Sequence, residues 1–188
     1  NTTGDCNIAL GYNSLHNNTT ANDNIGVGTH ALFANTTGTE NSAVGKCALA
    51  ANTTASYNTA VGFESLHDNT TGADNTAIGM CSLFANTTGD SNVAVGYRAL
   101  DSNTTGGTNI AIGSQAAHAN TTGTDILVIG KNAYISGTTA ANNTAIGNNS
   151  LACNTTGAEN TAVGLSTMFK NTEGANNVAI GTSALGAN

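Results

Sequence analysis

The sequence predicts an all-β protein: a parallel β-solenoid or β-roll of eleven 17-residue rungs, a single array over residues 1–188. Three observations predict it. A glycine returns every seventeen residues, from Gly11 through Gly62, Gly79 and Gly96 to Gly181, with no insertion or deletion. Around it each unit repeats Asn-Thr-Thr-Gly-x-x-Asn-x-Ala-Val/Ile-Gly-x-x-Ala/Ser-Leu-x-x, as residues 69–85 and 86–102 show. Glycine, asparagine and threonine, all poor helix formers, are also too dense in every unit to favour a helix.

Counting from the opening asparagine, each unit justifies its elements in order. Position 2 is Thr in all eleven units, and position 7 is Asn in ten, including Asn58, Asn75 and Asn92, with Ile126 the exception. Equivalent residues of stacked rungs lie directly above one another, so these columns are expected to bond along the axis as ladders. The glycines at positions 4 and 11 are expected to supply positive φ at turns. Ala21, Ala55 and Ala140 relax that demand at position 4. Turns at Thr-Thr-Gly and after the second glycine leave room for two strands of about five residues per rung. Successive rungs then stand about 4.8 Å apart.

Positions 8 to 10 are largely apolar, as in Val93-Ala94-Val95 and Ile110-Ala111-Ile112. Strand neighbours face opposite sides, so such a strand is buried on both faces. The expected core and interface columns are the aliphatic one (Val44, Val61, Ile78, Val95, Ile112), the alanine one (Ala60, Ala77, Ala94, Ala111) and the position-15 leucines (Leu66, Leu83, Leu100). One face is expected to enter the roll's own core. The other, nearly always Ala, is expected to meet another copy. A lone rung buries two aliphatic side chains, about 1.5–3 kcal/mol each. Ordering seventeen residues costs roughly 1.5 kcal/mol apiece. Stacking and association must supply the rest, and identical parallel rods keep their rungs in register.

Charged residues are 8% of the chain and the net charge is −7, which disfavours nucleic acid and anionic membranes as electrostatic partners. The surface is rich in neutral amides and hydroxyls, as in extracellular fibres. The repeat begins and ends at one phase without a polar cap, initiator Met, signal or membrane span. A segment of a longer fibrous protein, or a unit that stacks end to end, is expected. The four cysteines sit in different columns or two rungs apart, so free thiols are expected.

Candidate sites are few. His16, His67 and His118 share position 16 at three-rung intervals, and read as a surface column. Acids after the first turn (Asp23, Asp74, Asp125 and others) read as solvated turn charges, because the Gly-Gly-x-Gly-x-Asp calcium repeat is missing. Nine units open with Asn-Thr-Thr, which matches the N-glycosylation acceptor pattern and equally suits a structural ladder. No catalytic set stands at a defined place, and the expectation is a non-enzyme without cofactor or metal.

The segments NTAVGFESL (58–66), NTAIGMCSL (75–83), NVAVGYRAL (92–100) and NTAVGLSTM (160–168) resemble the head repeats of trimeric autotransporter adhesins, arrays also found in phage tail fibres. The resemblance covers the whole chain. It implies a left-handed parallel β-roll, three chains around one axis, and attachment to surfaces from a virion or bacterial cell surface. It also implies that the Val/Ile and Ala columns build core and trimer contact, with the motif Asn and Gly setting turns. The adhesin repeats are shorter than those here, and the additional residues fall around Asn-Thr-Thr-Gly. The expected function is a structural or adhesive fibre segment touching a surface glycan or receptor. A self-assembling extracellular filament or sheath is the alternative. An ice-binding solenoid ranks lowest, because Thr-Thr neighbours on an extended strand face opposite ways.

Overall fold

The computed structural model describes residues 2–186. It is an all-β parallel solenoid without helix among those residues. Eleven three-residue strands, one per turn, form a single sheet in chain order: β1 (Ile8–Leu10), β2 (Ile25–Val27), β3 (Ser42–Val44), β4 (Thr59–Val61), β5 (Thr76–Ile78), β6 (Val93–Val95), β7 (Ile110–Ile112), β8 (Leu127–Ile129), β9 (Thr144–Ile146), β10 (Thr161–Val163) and β11 (Val178–Ile180). Each strand pairs in parallel with the next at a register of seventeen, so Ala77 stands beside Ala60 and Ala94. The expected second strand is absent, because positions 12–17 close the turn with left-handed backbone at positions 13 and 15. Those turns nonetheless stack and bond rung to rung, as when Leu83 N donates to Ala99 O at 2.9 Å.

Three non-glycine positions of every rung, 6, 13 and 15, have φ between 50° and 63°. Asp, Asn and small polar residues tolerate that region best, and Asp23, Asp74 and Asp125 at position 6 use it. Position 15 is Leu at φ 50–53° in most rungs, a conformation costing about 1–2 kcal/mol. Complete burial of Leu32, Leu49, Leu66, Leu83, Leu100 and Leu151 offsets the strain at about 1.5–3 kcal/mol each.

Which strand face turns inward corrects the sequence expectation. Alanine, expected outside, is inside: Ala60, Ala77, Ala94 and Ala111 are fully buried. The aliphatic column is the outward one, with Val44 40%, Val61 38%, Ile78 41% and Ile112 39% exposed. The interior is narrow. A Cβ on Gly26, at the alanine position of β2, would meet the Ser14 hydroxyl at 2.5 Å and Leu15 at 3.3 Å. Position 9 is accordingly Ala in nine strands and Gly in β2, with Val128 of β8 the one larger residue, also fully buried.

The rest of the interior is amide. Asn86 Nδ2 donates to Asn69 Oδ1 of the previous rung at 2.9 Å and to Gly89 O of its own rung at 3.0 Å. Asn75 donates its backbone N–H to Asn58 Oδ1 at 3.0 Å and its Nδ2 to the same Gly89 carbonyl at 2.9 Å. The position-4 carbonyl therefore receives two amide donors, one from each asparagine column. A third ladder runs outside these, Thr70 Oγ1 donating to Thr87 O at 3.0 Å and Thr87 Oγ1 to Thr104 O at 3.1 Å. Buried amides are tolerable only with such full pairing.

The two glycine columns have different reasons. Position 11 carries φ of 119–143°, and at Gly96 a Cβ would lie 2.6 Å from the next glycine's carbonyl oxygen. Position 4 has no positive φ, contrary to expectation. A Cβ there presses on the asparagine ladder and the next carbonyl, a clash that Ala21, Ala55 and Ala140 show the neighbours can absorb.

Candidate interaction face

The outer face of the sheet presents one continuous column along all eleven strands. Position 10 is aliphatic in every strand from Leu10 to Ile180. Position 8, on the same face, alternates in bands: Ile8 and Ile25, then Ser42, Thr59 and Thr76, then Val93, Ile110 and Leu127, then Thr144 and Thr161. Past the position-11 glycine, position 12 extends the apolar strip with Phe63, Met80 and Tyr97, all exposed. The charged residues at its margin are few. Lys46 Nζ lies 5.6 Å from the Phe63 ring centroid, an attraction of ammonium to π-face that keeps the apolar stem flat on the surface.

Period-2 alternation on a parallel in-register sheet builds this strip directly. With alanine required inside, both flanking residues must point out. The predicted residues thus separate into two sets. Ala60, Ala77, Ala94, Ala111, Leu66, Leu83 and Leu100 join one buried core, whereas Val44, Val61, Ile78, Val95 and Ile112 line the outer strip. Gly62, Gly79 and Gly96 make the tight passage after each strand, and Asn58, Asn75 and Asn92 are buried in the ladder.

A second surface runs along positions 13 and 16. His16 stacks on Phe33 at 5.4 Å and His67 on Phe84 at 5.2 Å, the three-rung periodicity placing two similar pairs on one flank. His67 Nδ1 lies 2.7 Å from Asp68 Oδ1. His118, the third member, has Nε2 3.4 Å from Asp101 Oδ2, within ion-pair distance but without hydrogen-bond geometry. The histidines therefore pair with neighbours of their own flank.

Between the second and third histidines lies a shallow open depression lined by Glu64, Cys81, Phe84, Tyr97, Arg98 and Asp101. Arg98 Nη2 donates to Asp101 Oδ2 at 2.8 Å, and that bond raises the guanidinium pKa. Burial, then the Glu64 and Asp101 carboxylates, pushes the Cys81 thiol up, which disfavours the reactive thiolate. Among the described residues no group of three or more His, Cys, Asp or Glu side chains is placed to hold a metal ion. All four cysteines are free thiols. No described helix is long and apolar enough to cross a membrane.

Sequence reasoning did not connect one cluster. Ile126, Tyr134 and Gly137 are separate departures from the repeat, yet they surround one carbonyl, that of Ala140. Its two ladder donors would come from positions 126 and 137, and neither residue has a side-chain amide. The Tyr134 hydroxyl takes their place, donating to Ala140 O at 3.3 Å and accepting from Asn143 Nδ2 at 3.2 Å. The ring occupies the space a side chain at 137 would need. Burial raises the Tyr134 pKa, its hydrogen bonds offsetting part of the shift. Below the gap, Asn120 Oδ1 is buried without a partner. The available signal was four exceptions, Ile126, Val128, Tyr134 and Gly137, within twelve residues.

No family model, curated protein or solved structure matches this chain.

Proposed function

We propose that this chain is a shaft or head segment of a homotrimeric adhesive fibre, with the outer sheet faces of three parallel copies turned toward a common axis. The observation that carries the reading is the unbroken aliphatic position-10 column on the outer face of one sheet, of which Val44, Val61, Ile78, Ile112 and Ile129 are about two-fifths exposed. Burying that remainder adds about 1 kcal/mol per rung, and eleven rungs supply on the order of 10 kcal/mol against the cost of association. Identical rods present identical rungs, so every rung finds its equivalent. The left-handed roll and the threefold axis follow from the resemblance to adhesin heads. The positions 13 and 16 flank then stays outside, where its aromatic pairs face a surface glycan or receptor. An extracellular location, on a virion or bacterial surface, goes with that role.

Light scattering coupled to size exclusion tests the assembly: the expected mass is three times the 18.6 kDa chain. A monomer overturns the interface, and a dimer overturns the threefold arrangement. Electron microscopy of the same sample should show discrete rods. Continuous filaments would instead favour a self-assembling sheath. Binding of rod-coated beads to a glycan array tests adhesion, and beads that bind nothing would reduce the segment to a spacer.

A further inference from the structure

The Asn-Thr-Thr triplets match the N-glycosylation acceptor pattern, and the structure separates their two meanings. Among the described residues, the opening asparagines from Asn18 to Asn154 are at most 1% exposed. The acceptor atom is Nδ2, and it already spends its hydrogens inside the roll. Asn69 Nδ2 donates to Asn52 Oδ1 at 3.0 Å and to Gly72 O at 2.9 Å. Attaching a sugar replaces one of those hydrogens by a glycosidic carbon and requires an exit that a buried side chain lacks. It also removes one of the two Nδ2 bonds in a narrow interior.

Three other Asn-x-Ser/Thr sequences behave differently. They are Asn17-Asn18-Thr19, Asn142-Asn143-Thr144 and Asn148-Asn149-Ser150. Their first asparagines, at positions 17, 6 and 12 of the unit, are exposed. Asn148 uses Oδ1 to accept from Lys131 N at 2.9 Å, a bond that leaves Nδ2 outside the contact.

We infer that folding and N-linked glycosylation exclude one another at the Asn-Thr-Thr asparagines from Asn18 to Asn154, and that, among the described residues, the asparagines able to carry an N-linked oligosaccharide on the folded rod are Asn17, Asn142 and Asn148. The chemistry is that of amide glycosylation by an oligosaccharyl transferase: the Asn Nδ2 forms a bond to the sugar C1, and the lipid-linked pyrophosphate leaves. A sugar placed on Asn86 during synthesis blocks the rung that carries it. The inference concerns a single rod; Asn148 stands at position 12, beside the face that the trimer reading turns inward, so a sugar there competes with that assembly.

The test is to pass the full chain through a glycosylating secretory host and separate protease-resistant, β-rich rods from protease-sensitive chains. Enzymatic deglycosylation in heavy-oxygen water then marks each formerly glycosylated asparagine. Marked Asn17, Asn142 or Asn148 is expected in the resistant fraction, and marked Asn-Thr-Thr asparagines from Asn18 to Asn154 only in the sensitive one. Replacing the exposed third-position threonines (Thr88→Ala and its equivalents) removes those acceptors without touching the ladder. It should raise the yield of rods severalfold in that host and leave the yield in a non-glycosylating cytosol unchanged. Resistant rods marked at Asn86, or no gain from the threonine replacements, overturn the exclusion. Chains unmarked at all three exposed sites in every fraction overturn their assignment as acceptors.

Discussion

Replacing Gly137 with asparagine restores the repeat's own residue, yet it should damage the protein. The new Cβ would run into the ring of Tyr134, which fills that space in a fully buried position. Overpacking of this kind costs about 2–3 kcal/mol. Tyr134→Leu also restores the repeat, and it should cost a similar amount. It removes the hydroxyl that donates to the buried Ala140 carbonyl, about 1–3 kcal/mol, and leaves unfilled volume beside Gly137. The double variant should recover most of both losses. The leucine vacates the space, and the introduced amide can reach Asn120 Oδ1 and the Ala140 carbonyl, as the other rungs do. A coupling on the order of 3 kcal/mol is expected, at the upper end for residues in contact. Denaturant unfolding followed by circular dichroism gives the three differences. Amide exchange at Leu127–Ile129 and Thr144–Ile146 localises them, because stacked arrays open locally. Additive losses would refute the reasoning, as would a Gly137→Asn variant as stable as the parent.

Other expectations follow from the same geometry. Gly96→Ala forces a Cβ onto a φ of 133° and into the next glycine's carbonyl, so a loss of at least about 3 kcal/mol is expected. Gly72→Ala should cost under about 1 kcal/mol, since alanine already occupies its column at 21, 55 and 140. Thermal unfolding distinguishes the two. Ile112→Glu places a charge on the outer strip without entering the core, and should reduce the mass in solution to 18.6 kDa while the β spectrum persists. A fourth expectation concerns alkaline pH. Burial raises the folded-state pKa of Tyr134 above its ordinary value of 10.0, so the folded chain holds that proton longer than the unfolded one. The stability tied to it is intact below pH 10 and is lost as pH rises from there through the folded pKa. Tyr134→Phe, less stable near neutrality, should lose less stability over that alkaline interval, as denaturant titrations at successive pH values would reveal.

The solenoid was legible because its cause is local and repeated. An invariant glycine that no side chain can replace, with apolar residues one and three places before it in many units, fixes period, strand position and parallel register together. The position-7 and position-1 asparagines were legible as ladders for the same reason. The number of strands per turn was not. Left-handed backbone at leucine, as at Leu66 and Leu83, has no propensity signal, since it persists only because the surrounding rungs bury the side chain. Cys81 and Arg98 carried no sequence mark either, because their environment is assembled from three successive rungs.

By itself, the sequence determined that identical 17-residue turns stack in parallel, and that each strand is apolar on both faces. It did not fix which face is which, and the expectation that alanine faces outward proved wrong. Alternation alone allows either alanine or the aliphatic pair to turn inward. Only the tertiary structure decided, because the width of the interior is set by columns that meet across the roll. Leucine at position 15, two asparagine columns and a single short strand leave little space, so the small residue goes in, alanine in nine strands with Val128 the larger exception, and the position-10 aliphatics face out.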